Sequence, residues 1–195
     1  MCDITLFNKK FALIKWICKM KIICILILAS ICLLSINLMS VPYKAPPYNK
    51  IVDNIMSRAS KRLVKKHSMR LIGIHEGMMG CVKMMGFRFQ VYRPLSKDEA
   101  RAMVVDSIQD FLADINQDEK IRQYLEVYPF DLNHVDMMIF IDTPDYGTYY
   151  YPNLCVVTAS RGNIRYSTND PEKKYSYKTE ETESFEDAVK ILKGN

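Results

Sequence analysis

Short catalytic signatures are missing from this chain. It has no nucleophile elbow, serine-triad pattern, zinc-binding helix or dinucleotide fingerprint. No CxxC and no Cys/His metal spacing occurs. Cysteine is scarce beyond the N-terminal stretch: Cys2, Cys18, Cys24 and Cys32 lie early, leaving only Cys81 and Cys155. A disulfide-stapled scaffold is therefore excluded, and at most one bridge, Cys81 to Cys155, is open to the body of the protein. Two small buried hydrophobes are the competing use of that pair. Excess charge is also absent from the body. The chain carries net +5, but residues 1–41 hold five lysines and one aspartate, and residues 42–195 hold 22 basic and 21 acidic side chains. The basic pI thus belongs to the leader, and a nucleic-acid partner is not indicated. Nothing calls for a cofactor. Repeats and low-complexity stretches are lacking as well.

What is present is one long apolar run. Residues 22–41, IICILILASICLLSINLMSV, carry no charge and follow Lys9, Lys10, Lys15, Lys19 and Lys21. Leaving such a run in water costs roughly 25 cal/mol per Å² of apolar surface. It reads as a signal peptide or an anchor helix, with the membrane as its partner. Read from Met20 as an alternative start, the chain has a short positive beginning, an apolar centre and a small polar end, the signal-peptide pattern. Ser40 suits the last position before cleavage, whereas Leu38 does not suit the third-last. Ile31 before Cys32 does not fit a lipidation box. The run also just reaches the roughly 20 residues that span a bilayer. The soluble part is expected to be exported or membrane-anchored, outside the cytoplasm.

Residues 42–50, PYKAPPYNK, read as a stiff proline-rich linker, and residues 51–195 as one domain. Ile51, Ile55, Ala59 and Leu63 recur at helical spacing. The opposite face carries Arg58, Lys61, Arg62, Lys65 and Lys66, a basic stripe suited to a solvated helix face or to anionic lipid head groups. Strands are expected over Met69 to Ile74 and Cys81 to Tyr92, joined by a glycine-containing turn. In the second strand Met85, Phe87, Phe89 and Val91 share the face expected to meet the core. Turn geometry accounts for Gly73, Gly77, Gly80 and Gly86 more simply than a phosphate cradle does.

Ser96-Lys97-Asp98-Glu99 is a capping box. It precedes an amphipathic helix with its apolar stripe on Ala100, Met103, Val104, Ile108, Phe111, Leu112 and Ile115. Asp106, Asp110 and Asp114 fall on its wet side. A shorter helix is expected from Asp118 to about Val127. Further strands follow over 135–141, 154–160 and 163–167, with Arg161-Gly162 as a tight turn. Another strand is read near 175–180, and a closing helix near 185–193 with Ser184 as its cap. The order does not alternate as βαβ units do. The expected fold is α+β, an antiparallel sheet of about 4–6 strands packed by helices on one face.

Chemistry-bearing residues are few. His75-Glu76 could serve as an acid/base pair, although neighbours on a strand point to opposite faces. Asp131, His134 and Asp136 offer oxygen and nitrogen ligands for a divalent ion. Asp142 and Asp145 sit at a strand end, where paired carboxylates serve glycosidases. Tyr146, Tyr149, Tyr150 and Tyr151 offer rigid amphipathic contact area. Two functions stay open. One is a non-enzymatic binding domain that meets a protein or envelope partner. The other is a hydrolase or metal-dependent enzyme using His75, Glu76, His134, Asp136 or Asp142.

Residues 118–140, DEKIRQYLEVYPFDLNHVDMMIF, with IR-x-YL at 121–125 and YPF at 128–130, resemble a stretch in small uncharacterised exported proteins of chlamydia-related and other intracellular bacteria. The hairpin SRGNIRYSTNDPE, residues 160–172, is similar to theirs in style. The resemblance implies a bacterial, exported, single-domain protein and carries no assigned activity.

Overall fold

The computed structural model describes residues 45–194, together with Trp16, Met20, Lys21, Ile23, Cys24, Ile27 and Ser30 of the N-terminal stretch. Those seven are helical and exposed. The chain divides into two units, at residues 1–45 and 46–195. Most of the apolar run at 22–41, and residues 42–44 of the linker, lie outside the described residues. Among the described residues no helix is long and apolar enough to cross a membrane.

Helix α1 spans Tyr48–His67. It begins directly after Pro46-Pro47, because proline is tolerated where a helix's first N–H groups have no partner. The stretch read as linker therefore ends three residues early. The helix stops at Ser68, which turns left-handed at φ 52°. Strand β1, Arg70–Met78, and strand β2, Val82–Val91, form the expected hairpin. Helix α2, Lys97–Gln117, starts with both halves of the capping box made by Ser96 and Glu99. The helix expected over 118–127 shrinks to a single 3-10 turn, Arg122–Tyr124. Ile121 alone is buried there, so no stripe long enough to sustain a helix reaches the core.

Strands β3 (Val135–Ile141), β4 (Val156–Ser160), β5 (Asn163–Asn169) and β6 (Tyr177–Ser184) follow, then helix α3 (Phe185–Gly194). Arg161 and Gly162 make the β4–β5 turn at φ 49° and 74°, the left-handed pair that a two-residue hairpin needs. Ser184 caps α3 by accepting from the Asp187 N–H at 3.0 Å.

The six strands lie in sequence order in one sheet. The sheet is mixed, which corrects the antiparallel expectation: β2 and β3 run parallel. The connection from Val91 to Val135 contains α2, which returns the chain along the sheet, so β3 starts again from the end where β2 started. The other four pairings are antiparallel.

The core lies on one face. Phe87, Met137, Ala159 and Ile164 are partners across β2 to β5, as are Phe89, Ile139, Val157 and Tyr166. All eight are buried. They pack in one cluster with Ile55 and Leu63 of α1, Phe111 and Ile115 of α2, and Ala188 of α3. The rings of Phe87 and Phe111 sit 4.6 Å apart. The expected inward face of β2 is the one observed.

Candidate functional site

Strand side chains alternate, so burying one face leaves the other to a second set. Partners across the sheet form rungs on that bare face. One rung reads His75, Gly86, Asp136, Ser160, Asn163, Ser184. The next reads Gly73, Arg88, Met138, Thr158, Arg165, Thr182. A third holds Gln90, Phe140, Val156, Ser167 and Glu180, and there Val156 and Ser167 are buried, so the open part of the face is its first two rungs. The first rung holds no apolar side chain at all.

Gly86 organises this face. A Cβ there would come 2.0 Å from the Asp136 carbonyl oxygen and 3.0 Å from its Cβ. Only glycine fits, and it leaves a gap above β2. His75 reaches across that gap from β1. Its Nδ1 lies 2.9 Å from Asp136 Oδ2. Arg88 Nη2 donates to the same oxygen at 2.7 Å. A carboxylate oxygen accepts, so this hydrogen bond runs from the Nδ1–H of His75 to Asp136 Oδ2. Nε2 makes no hydrogen bond among the described residues. Gly73 and Gly77 lie beside His75 on the same face of β1, and only Gly80 of the four early glycines belongs to a turn, at φ 78°. The turn explanation therefore holds for Gly80 alone.

A basin of about 600 Å³ opens on this face. His75, Asp136, Ser160, Arg161, Asn163 and Arg165 line it, with Met84 of β2 as its apolar member. Arg88 is already neutralised by Asp136. Arg165 reaches Glu180 only at 3.5 Å, with both side chains about half exposed. Arg161 has no ion pair among the described residues.

Further along β2 the face turns aromatic. Tyr92 Oη donates to Gln90 Oε1 at 2.7 Å, and Gln90 Nε2 donates to Asp142. Arg70 donates to Tyr92 Oη at 3.2 Å. The Tyr146 ring stands edge-on to Tyr92 at 5.0 Å.

The residues singled out by sequence separate into groups. His75 and Asp136 come together. Glu76 lies on the other face of β1, opposite Met85. Burial and the nearby Asp53 charge push its carboxyl pKa up, and its Oε1 is buried without a partner. The His75-Glu76 pair therefore does not act as one unit. His134 Nδ1 instead bonds Asp131 at 2.7 Å, and Nε2 lies 3.7 Å from Glu126. That hydrogen bond holds the Asp131 carboxyl below its usual range. Asp136, at the start of β3, is turned to His75 and Arg88. The three proposed metal ligands thus do not converge, and no group of three His, Cys, Asp or Glu among the described residues could hold a metal ion. Asp142 joins the bare face through Gln90, and Asp145 is occupied by the Thr143 hydroxyl.

The tyrosines do not make one patch. Tyr149 packs against the core, and Tyr151 lines a separate cleft with Lys97 and Tyr166. Tyr146 meets the bare face through Tyr92, and exposed Tyr150 bridges to Asn169 at the end of β5. The basic helix is likewise less free than its sequence implies. Arg62 pairs with Asp114 at 2.7 Å, Lys66 with Asp106 and Asp110 at 2.7 and 3.0 Å, and Arg58 with Asp118 at 3.6 Å. Lys61 and Lys65 are left without ion pairs among the described residues. The sequence held this signal: Arg58, Arg62 and Lys66 step by four, and so do Asp106, Asp110, Asp114 and Asp118.

The Cys81–Cys155 bridge is not formed; both thiols are free. Cys81 precedes β2. Cys155 precedes β4, beside Ile141, and Ile141 pairs with Val91 at the far end of β2. Nine residues of strand, roughly 30 Å, lie between them, and a disulfide needs Cα atoms within about 7 Å. A buried network was not expected from sequence. Arg101 Nε donates to Glu183 Oε1 at 2.7 Å, and Tyr166 Oη donates to the same oxygen at 2.5 Å. No family model, no curated protein and no solved structure matches the chain.

Proposed function

We propose that this chain is an exported or membrane-anchored binding domain, delivered by its apolar leader, that takes its partner on the bare face of the sheet. One observation carries the reading. The helices cover one side of the sheet, while the other presents the Gly86 gap with His75, Arg88 and Asp136 around it, half-buried Met138 and Phe140, and Tyr92 with Tyr146 at one end. Asp136 is nearly buried, its side chain 11% exposed, and is held by His75 and Arg88, 47% and 26% exposed, on a face the helices leave open. Charged and aromatic groups gathered on such a face suit recognition of a partner. The expected partner is a protein or an envelope component. Lys61 and Lys65 remain available to anionic head groups. Tyr150 and Tyr151 would contact a partner only at the margin.

Co-sedimentation with the host cell envelope tests this. Thr158 lies in the centre of the second rung, and Thr158→Arg should lower the bound fraction about tenfold or more while circular dichroism is unchanged. Lys193→Ala on α3 should bind as the parent does. Equal binding by Thr158→Arg and the parent would refute the proposal. N-terminal sequencing of protein from the native host tests the leader.

A second reading has one supporting observation, the His75–Asp136 bond with Ser160 opposite Asp136 in the same rung. That order is the start of a nucleophile–base arrangement. No hydrogen bond joins Ser160 to His75, so the binding reading stands first.

A further inference from the structure

We infer that the basin at the β4–β5 end of the bare face is a site for an oxyanion, a carboxylate or phosphate group carried by the partner. This rests on the bare face being the binding face and adds the chemistry of what it recognises.

The charges in the basin do not balance. Asp136 is its one carboxylate, and Oδ2 is already shared by His75 Nδ1 and Arg88 Nη2. Two more guanidinium groups face the same space. Among the described residues Arg165 has one ion-pair contact, the long one to Glu180, and an exposed pair of that kind contributes little. Arg161 has no acidic partner among the described residues. An arginine fork with vacant donors matches the two oxygens of a carboxylate or phosphate edge. Cations are disfavoured by the same surplus.

Position strengthens the argument. Arg161 occupies a left-handed backbone at φ 49°, where glycine or asparagine would be easier. The tight turn fixes its Cα beside Ser160 and Asn163. Ser160, Asn163 and Thr182 add neutral polar groups around the same opening. The Ser160 and Thr182 hydroxyls make no hydrogen bond among the described residues. An oxyanion entering here would meet two guanidinium groups and hydroxyl donors over a floor with no apolar residue in its first rung.

The test uses the full-length chain in neutral detergent micelles, titrated with inorganic phosphate and, separately, succinate, with glucose as the uncharged control. Side-chain NMR of labelled arginine reads Arg161 and Arg165 directly. Saturable shifts of both, with weak affinity in the millimolar range, are expected with at least one anion and not with glucose. The double variant Arg161→Gln/Arg165→Gln should weaken binding about tenfold or more. Lys193→Gln on α3 should leave it unchanged. Tighter phosphate binding assigns a phosphate source, and tighter succinate binding a carboxylate source. No saturable shift with either anion up to about 50 mM, or equal affinity in the double arginine variant, overturns the site. If the anions fail while Thr158→Arg still abolishes envelope binding, the oxyanion assignment alone falls. If the anions bind while Thr158→Arg changes nothing, the wider partner reading falls and this site stands.

Discussion

His75 crosses a strand to reach Asp136. The two sit on β1 and β3, with Gly86 of β2 between them, and the imidazole Nδ1 lies 2.9 Å from the carboxylate Oδ2. The contact exists because Gly86 has no side chain. A Cβ at Gly86 would fall 2.0 Å from the Asp136 carbonyl oxygen. Backbone of the neighbouring strand cannot yield that distance without breaking the parallel ladder. Gly86→Ala should cost about 3 kcal/mol or more, within the range reserved for core and backbone clashes. Chemical denaturation measures it. A loss under about 0.5 kcal/mol would contradict the close approach of β2 to β3.

Arg101 and Glu183 tie α2 to β6 beneath the sheet. Their side chains are 6% and 15% exposed. Burial opposes ionisation of Glu183, but hydrogen bonds from Arg101 and Tyr166 outweigh it and hold its carboxyl below the ordinary range. A lowered folded pKa contributes stability above the unfolded value, about 4.3, and loses it as pH falls through the folded value. Arg101→Met should cost about 3 kcal/mol at neutral pH, since it strands a buried carboxylate. The gap between parent and variant should narrow below about pH 4. A gap that is constant with pH would contradict the ion pair.

The α1–α2 ladder is exposed and should be weak. Lys66 and Asp110 are 3.0 Å apart with side chains 42% and 33% exposed. Asp110→Lys should lower stability by about 1 kcal/mol at low ionic strength, and most of that should return in about 1 M salt. A loss insensitive to salt would show that the helices are joined there by packing and not by charge.

Cys155 should be inert and Cys81 reactive. Burial pushes the Cys155 thiol up to about 11, and its Sγ lies 3.2 Å from the Ser167 carbonyl. Cys81 lies half-buried in the β1–β2 turn. Thiol labelling of the folded protein at pH 8, read by peptide mass spectrometry, should modify Cys81 and spare Cys155 until denaturant is added. Recovery of a Cys81–Cys155 cross-linked peptide would contradict the strand register.

Period and caps made most elements legible. The capping box at Ser96, the β4–β5 turn at Arg161-Gly162 and the inward face of β2 follow from local rules. The parallel β2–β3 pairing did not, because it depends on how α2 returns the chain, a fact spread over more than 40 residues. The site was half legible. Sequence spacing groups Asp136 with Asp131 and His134, but those two sit in the turn before β3 and bond each other, while Asp136 lies on the strand itself. Its real partners, His75 and Arg88, lie 61 and 48 residues away. Gly73, His75 and Gly77 share one side of β1, and Gly86 with Arg88 one side of β2. That parity was the available signal.

Side-chain footprinting with hydroxyl radicals tests the binding face most directly. Met84, Met138, Tyr92 and Tyr146 report on the bare face, and Tyr128 and Tyr175 report on loops. With the host envelope fraction present, the first four should be protected from oxidation while Tyr128 and Tyr175 oxidise as before. Unchanged oxidation of Met84 and Met138 alongside protection elsewhere would contradict the account.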